Sequence, residues 1–255
     1  MSRIQTLFQN KKERILSVYF TAGYPHLNDT LTLLRTLEQC GVDMIELGMP
    51  YSDPLADGPV IQKSSSVAIS NGMTIAELFK QLKEFRKEIK LPVLLMGYMN
   101  PVLQYGFEKF CKQAAELGID GLILPDLPPY EYKMEYRAII EKYGLDIIFL
   151  VTPETPDARV KMLDQLSSGF LYAVSSSSTT GTGKNPADME AYLQKLGRLK
   201  LNNPVLVGFG IRDKAAFNAA CRQARGAIIG SAFIKSLEKE KPDAATRGFI
   251  TSILG

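Results

Sequence analysis

The run Glu46-Leu47-Gly48-Met49-Pro50-Tyr51-Ser52-Asp53-Pro54-Leu55-Ala56-Asp57-Gly58-Pro59 joins a carboxylate inside an apolar stretch to a stiff loop with two more carboxylates. Met44, Ile45, Leu47 and Met49 surround Glu46, so its carboxyl group is expected to be poorly solvated. Poor solvation disfavours the charged form, raises the pKa and keeps a proton available near neutral pH. Asp53 and Asp57 stand among Pro and Gly, where water is expected to be closer. Carboxyl groups in contrasting environments can divide acid and base work. Each has a plainer reading. Glu46 could pair with a cation at a barrel rim, and Asp-Pro and Asp-Gly steps favour turns. Three oxygen donors this close also resemble a Mg²⁺ site, although no metal is expected because an anionic ligand has another route here.

That route is glycine. Ser178-Thr179-Thr180-Gly181-Thr182-Gly183-Lys184, Gly208-Phe209-Gly210 and Gly230-Ser231 each follow an apolar run. Glycine lets backbone N–H groups approach an anion closely, and a following helix start adds donors. A Walker A loop would need Gly at 178 and Ser or Thr at 185, where this chain has Ser178 and Asn185. A dinucleotide fingerprint would need a third glycine at 213, which is Asp213. Tyr19, Tyr98, Tyr172 and Phe209 are large rings at or near the ends of apolar runs; core packing explains any one of them, but four together suit a flat apolar ligand. The residues therefore point to a pocket with a phosphate end, an aromatic end and acids between.

These groups need a frame. Gly41-Val42-Asp43, Gly118-Ile119-Asp120 and Gly144-Leu145-Asp146 each follow a helical segment and precede an apolar run, as a helix C-cap followed by a buried strand would. Further apolar runs lie at Ile15 to Phe20, Pro92 to Tyr98, Gly169 to Val174, Pro204 to Phe209 and Gly226 to Gly230. Thr74-Ile75-Ala76-Glu77 has capping-box spacing and opens a helix expected to reach about Lys90. Asp157 and Asp213 are expected to cap helices reaching Leu166 and Arg225, and Ile4, Leu7 and Phe8 give a short leading helix one apolar face. Eight alternating strands and helices indicate an α/β fold, a (β/α)₈ TIM barrel with a short N-terminal extra helix. A doubly wound open sheet is the alternative. No linker divides the chain, so residues 1–255 are read as one domain. Active groups of such barrels lie where strands end, and the long segments Pro50 to Met73 and Ser175 to Pro186 are candidate lids or binding loops.

Composition narrows the classes. With 30 Lys and Arg against 27 Asp and Glu, the formal charge is +3 and the lysines are scattered, which argues against nucleic acid as a partner. No apolar run approaches a membrane span and the N-terminus lacks a signal core. Cys40, Cys111 and Cys221 form no CxxC pair and read as buried free thiols within helices. His26 is the only histidine, so a conventional Ser-His-Asp triad is not readily assembled. A reduced, cytoplasmic protein is expected.

The chain is similar over nearly its full length to the tryptophan synthase alpha subunit family. The segment Glu46 to Pro59, continuing Val60-Ile61-Gln62, resembles that family's active-site signature. Phe20-Thr21-Ala22-Gly23, Tyr98-Met99-Asn100-Pro101, Gly208-Phe209-Gly210-Ile211 and Gly230-Ser231-Ala232 match as well. The resemblance implies retro-aldol cleavage of indole-3-glycerol phosphate to indole and glyceraldehyde 3-phosphate, with Glu46 and Asp57 catalytic. It implies that Tyr172 contacts the substrate, that Tyr19 lines the indole pocket, that Thr180 on the substrate-side loop meets the catalytic aspartate when the lid closes, and that Gly181, Gly210, Gly230 and Ser231 contact phosphate; Tyr98 and Phe209 are expected as further substrate contacts from their place among the rings. It further implies an α₂β₂ complex with a beta subunit that carries pyridoxal phosphate, no cofactor in this chain, and Pro50 and Asp53 at the partner interface. At Tyr19 the family usually has phenylalanine. Many members have Arg-Ser-Gly-Val-Thr-Gly where this chain has Ser176-Ser177-Ser178-Thr179-Thr180-Gly181, a change expected to touch lid kinetics and partner coupling. Two rival functions remain open: another phosphate-binding barrel enzyme, and a ligand-binding regulatory subunit with weak lyase activity.

Overall fold

Helix-to-strand returns in the first half of the chain turn on glycine. Gly41, Gly118 and Gly144 have φ of 83°, 87° and 65°, a left-handed backbone that side chains with a Cβ resist. The aspartates that follow fasten neighbouring strands. Asp43 accepts from the Leu16 amide at 2.8 Å and from Lys11 Nζ at 2.6 Å. Asp120 accepts from the Val93 amide at 2.8 Å and from the guanidinium groups of Arg3 and Arg86.

The computed structural model describes residues 1–174, 186–208 and 210–255. Nine strands run in parallel: β1 (Ile15–Thr21), β2 (Met44–Gly48), β3 (Val93–Met96), β4 (Gly121–Ile123), β5 (Asp146–Ile148), β6 (Leu150–Val151), β7 (Leu171–Val174), β8 (Val205–Gly208) and β9 (Gly226–Ile229). Their order is β5-β4-β3-β2-β1-β9-β8-β7-β6. The two ends of that order are consecutive in the chain, separated by Phe149, so the sheet closes on itself. Eight strands were expected, and all eight runs form them; the fifth is divided because the Phe149 amide donates to Ser167 Oγ at 3.1 Å instead of to a strand. Every residue of β1, β2 and β3 is buried, as strands covered on both faces require.

The helices depart from expectation in detail. Thr74 Oγ1 accepts from the Glu77 amide at 3.1 Å, but Glu77 turns its carboxylate to Lys80 and Gln81. The helix is α only over Ile75–Gln81 and then tightens to a 3₁₀ segment over Leu82–Lys87. Asp157 is the first residue of its helix and makes an ion pair with Lys195 at 2.9 Å; Pro156 holds the cap position. Asp213 does cap, accepting from the Ala216 amide at 2.8 Å, and its helix ends at Cys221. The stretch Pro50 to Met73 is not all loop: Pro59–Ser70 is a helix, with proline at its first position where a missing N–H costs nothing. Of the thiols, only Cys111 is buried, while Cys40 and Cys221 are half-buried. Cys40 lies just past the end of its helix, Thr30–Gln39.

The leading helix, Arg3–Asn10, begins with a Ser2–Gln5 capping box. It buries Ile4 completely and sets the Phe8 ring 6.1 Å from Phe170. Ile4 also rests on Gly169, and Arg3 reaches Asp120. These contacts lie where strands begin, so the helix covers that end of the barrel and leaves the opposite end for the site. Near the same end a Cβ at Gly226 would overlap the Ile15 carbonyl across the β1–β9 pair. Gly226→Ala is therefore expected to cost about 1–3 kcal/mol of stability, seen as a lower denaturant midpoint at unchanged slope; an unchanged midpoint would contradict the close approach.

Candidate active site

Alternation along β1 puts Ser17, Tyr19 and Thr21 on one face, and β2 presents Met44, Glu46 and Gly48 in the same way. Tyr19 stands in register with Glu46. Glu46 is fully buried; Ser17 Oγ donates to its Oε1 at 2.9 Å, and Oε2 has no partner. Burial pushes the carboxyl group up to about 8, against a smaller opposing pull from the Ser17 hydrogen bond. Glu46 is thus a neutral acid at pH 7. Among the described residues no cation pairs with it, which removes the rim ion pair as an account of its position.

Asp57 is less exposed than its loop suggests. Only 7% of its surface is accessible, because Tyr98 folds over it. The Tyr98 hydroxyl donates to Asp57 Oδ2 at 2.8 Å and accepts from the Ala56 amide at 3.0 Å. Tyr51 stacks at 5.4 Å on Tyr98 and accepts at 2.9 Å from Asn100 Nδ2, closing the loop against the helix Met99–Tyr105. Burial raises the Asp57 pKa to about 6, with the Tyr98 hydrogen bond lowering it in part. Asp57 is mainly ionised at pH 7, so the two acids hold opposite protonation states. Asp53 stays exposed, accepting from its neighbour Ser52, and Pro50 is half-buried.

Three tyrosines gather at this end. Burial raises the phenol pKa of Tyr19, Tyr98 and Tyr172, so all remain protonated donors. The Tyr19 hydroxyl lies against Gly48 and the Tyr172 hydroxyl against Gly208, where any Cβ would displace the ring. A cavity of about 580 Å³ opens over Tyr19, Met96, Tyr172 and Ile228 and extends to Gly210, Gly230 and Ser231. A second space of about 10 Å³, the size of one water, lies beside Asp57 and Tyr98. Tyr19 and Met96 line both and form the partition between them. Glu46 lines neither.

Tyr19, Tyr98, Tyr172, Gly210, Gly230 and Ser231 are thus brought to the same end as the two acids. Gly210 has φ of 76°, and the Tyr19 ring lies 3.3 Å from a Cβ built on Gly230. Thr180, Gly181 and Phe209, together with Ser176 to Ser178, lie outside the described residues. Sequence reasoning missed Ser17, although a lone hydroxyl two residues before Tyr19 in an apolar strand was a usable signal. It also missed Tyr51. Among the described residues no three His, Cys, Asp or Glu side chains converge as a metal site would need. His26, the only histidine, binds Asp29 at 2.7 Å on the surface.

The sequence profile described as "Tryptophan synthase alpha chain" matches residues 5–250. The chain is 55% identical over 240 residues to the tryptophan synthase alpha chain of Flavobacterium johnsoniae, covering 94% of each. It is 49% identical to that of Flavobacterium psychrophilum, covering 99% of this chain and all of the relative. The crystal structure of tryptophan synthase subunit alpha from Legionella pneumophila superposes with a TM-score of 0.90 at 33% identity, covering 99% of this chain and 97% of that one. A closed parallel barrel, a buried glutamate and loop aspartate at the ends of its strands, and relatives half identical from end to end lead to one conclusion: the chain belongs to the tryptophan synthase alpha chain family.

Proposed function

We propose that residues 1–255 act as one lyase domain that cleaves indole-3-glycerol phosphate to indole and glyceraldehyde 3-phosphate. One observation carries this reading: two buried carboxyl groups, both with pKa raised by burial and Glu46 further than Asp57, lie about Tyr19, next to a cavity large enough for an aromatic phosphate ester. Glu46 is in register with Tyr19 on the next strand, and Asp57 lies beside the smaller space. The glycerol phosphate end lies toward Gly210, Gly230 and Ser231, joined by Gly181, and the indole lies over Tyr19 and Tyr172 toward Asp57. Thr180 and Phe209 complete the substrate contacts.

Glu46 turns from Ser17 into the cavity and gives its proton to indole C3. Asp57 accepts the indole N–H hydrogen bond and offsets the positive charge that spreads over the ring. The carboxylate now formed on Glu46 takes the proton of the glycerol hydroxyl next to the ring. As that O–H pair becomes a C=O bond, the C–C pair returns to the ring, which releases indole and the aldehyde. Glu46 ends protonated, as it began.

Leu55, Leu103, Tyr130 and Met134 are large apolar side chains with 89%, 47%, 71% and 67% of their surface exposed. They follow β2, β3 and β4, which are adjacent in the barrel, at the same end as Pro50 and Asp53. Apolar surface on one face marks a partner site. We assign it to a beta subunit in an α₂β₂ complex, with pyridoxal phosphate held by that partner and the whole placed in the cytoplasm. No helix among the described residues is long and apolar enough to cross a membrane. The test is indole release from indole-3-glycerol phosphate by the chain alone and with a beta subunit. Release in both cases, faster with the partner, is expected. No indole in either would overturn the reading, and stimulation of the beta subunit without indole release would favour a regulatory chain instead.

A further inference from the structure

The glycines at the far end of the cavity provide hydrogen-bond donors but no net charge, and a phosphate monoester near neutral pH carries close to two negative charges. Three side chains on the cavity wall carry the opposite sign. Arg212 lies two residues beyond Gly210 after β8, and its side chain is 83% exposed. Lys235 lies on the helix Ser231–Ser236 and Lys239 in the turn just past its end. Both are exposed.

No carboxylate is among the described residues that line this cavity. Three carboxylates adjoin these cations in sequence, Asp213, Glu238 and Glu240, and none of them lines the cavity. Glu238 is paired with Lys63 at 2.8 Å and accepts from Tyr24, while Asp213 caps the Ala216 amide and also makes a long ion pair with Arg212 at 3.9 Å. Lys235 feels the charge of Glu238 without forming a salt bridge, and Lys239 has no ion-pair partner among the described residues. One wall of the cavity therefore carries three cations and no carboxylate beside Gly210, Gly230 and Ser231; Arg212 is partly offset by Asp213, while Lys235 and Lys239 have no ion-pair partner among the described residues.

We propose that Arg212, Lys235 and Lys239 form a cationic collar that captures the doubly charged phosphate of the substrate and sets a preference for phosphorylated over unphosphorylated glycerol derivatives. The assignment rests on the cavity being the phosphate-ester site of the lyase. Exposed cations act through water, so their pull reaches about 8–10 Å at ordinary ionic strength and fades as salt is added. Their action falls on capture, not on the bond-breaking step, and so on KM more than on kcat.

The test measures binding of glycerol 3-phosphate, inorganic phosphate and glycerol to the full chain from low to high salt, alongside indole release. The variant is Arg212→Gln/Lys235→Gln/Lys239→Gln. The control is Lys161→Gln, an exposed charge outside the cavity. The triple variant is expected to bind glycerol 3-phosphate about tenfold more weakly at low salt, with a flatter salt dependence, a raised KM and a kcat within about twofold of the parent. Glycerol should bind neither protein measurably, and inorganic phosphate should bind more weakly than its glycerol ester. An unchanged affinity and salt slope in the triple variant would overturn the collar, as would an equal loss in Lys161→Gln. Inorganic phosphate binding as tightly as the ester would overturn the assignment to substrate. If the triple variant does not fold, Arg212→Gln and Lys239→Gln, both at exposed side chains, must each reduce the salt slope or the collar fails. Salt-dependent binding lost in the variant while the parent releases no indole would sink the lyase reading and leave the collar standing. Indole release with an unaltered salt response would do the reverse.

Discussion

Glu46→Gln is expected to lower indole release by about 10²–10⁴-fold, the range lost when a general acid–base group is removed, while the barrel gains stability at alkaline pH. Glutamine keeps the shape and can still accept from Ser17, but it cannot give a proton to carbon or take one from a hydroxyl. The stability gain follows from linkage. Burial lifts the folded-state pKa from the ordinary 4.5 to about 8, so between those values the native state holds a proton that the unfolded chain has released. Raising the pH through that window therefore weakens the parent, by at most about 1.4 kcal/mol per unit, and the glutamine variant lacks this contribution. Thermal midpoints of the two proteins should separate at pH 8 and converge near pH 5. Equal midpoints at both pH values would show that Glu46 is solvated, and undiminished turnover would remove it from the chemistry.

Asp57→Asn should lower kcat by about 10²–10³-fold, as loss of one preorganised charge at a developing opposite charge does. Tyr98 can still donate to the amide oxygen, so the loop should hold its shape; what disappears is the negative charge that the proposed mechanism sets against the indole nitrogen. The parent's kcat/KM should trace a bell, falling below about pH 6 as Asp57 is protonated and above about pH 8 as Glu46 loses its proton. In Asp57→Asn the acid limb should vanish and the alkaline limb remain. An acid limb that survives the substitution would assign it to another group.

Phe149 and Asp57 show where sequence reading stops. The apolar run after Gly144-Leu145-Asp146 has no feature that announces a break, because the interruption comes from Ser167, whose hydroxyl takes the Phe149 amide. The Pro- and Gly-rich loop around Asp57 reads as wet for a similar reason: the ring that dries it belongs to Tyr98, forty-one residues away. Thr74-Ile75-Ala76-Glu77 shows the limit on the helix side, since only half of its capping box forms once Glu77 finds Lys80 and Gln81.

Other features are set by neighbours in the chain. Left-handed turns at Gly41, Gly118 and Gly144, the positions of the strand runs, and the apolar surroundings of Glu46 all depend on a few adjacent residues, so composition and spacing determine them. Contacts that tune the acids do not. Ser17 meets Glu46 across twenty-nine residues, Tyr19 and Met96 divide two cavities from different strands, and Arg212 faces the same space as Lys235 and Lys239 only because β8 and β9 are adjacent. Closure of the barrel brings these groups together, and a string of residues carries no record of which distant side chain will remove the water from which carboxyl group.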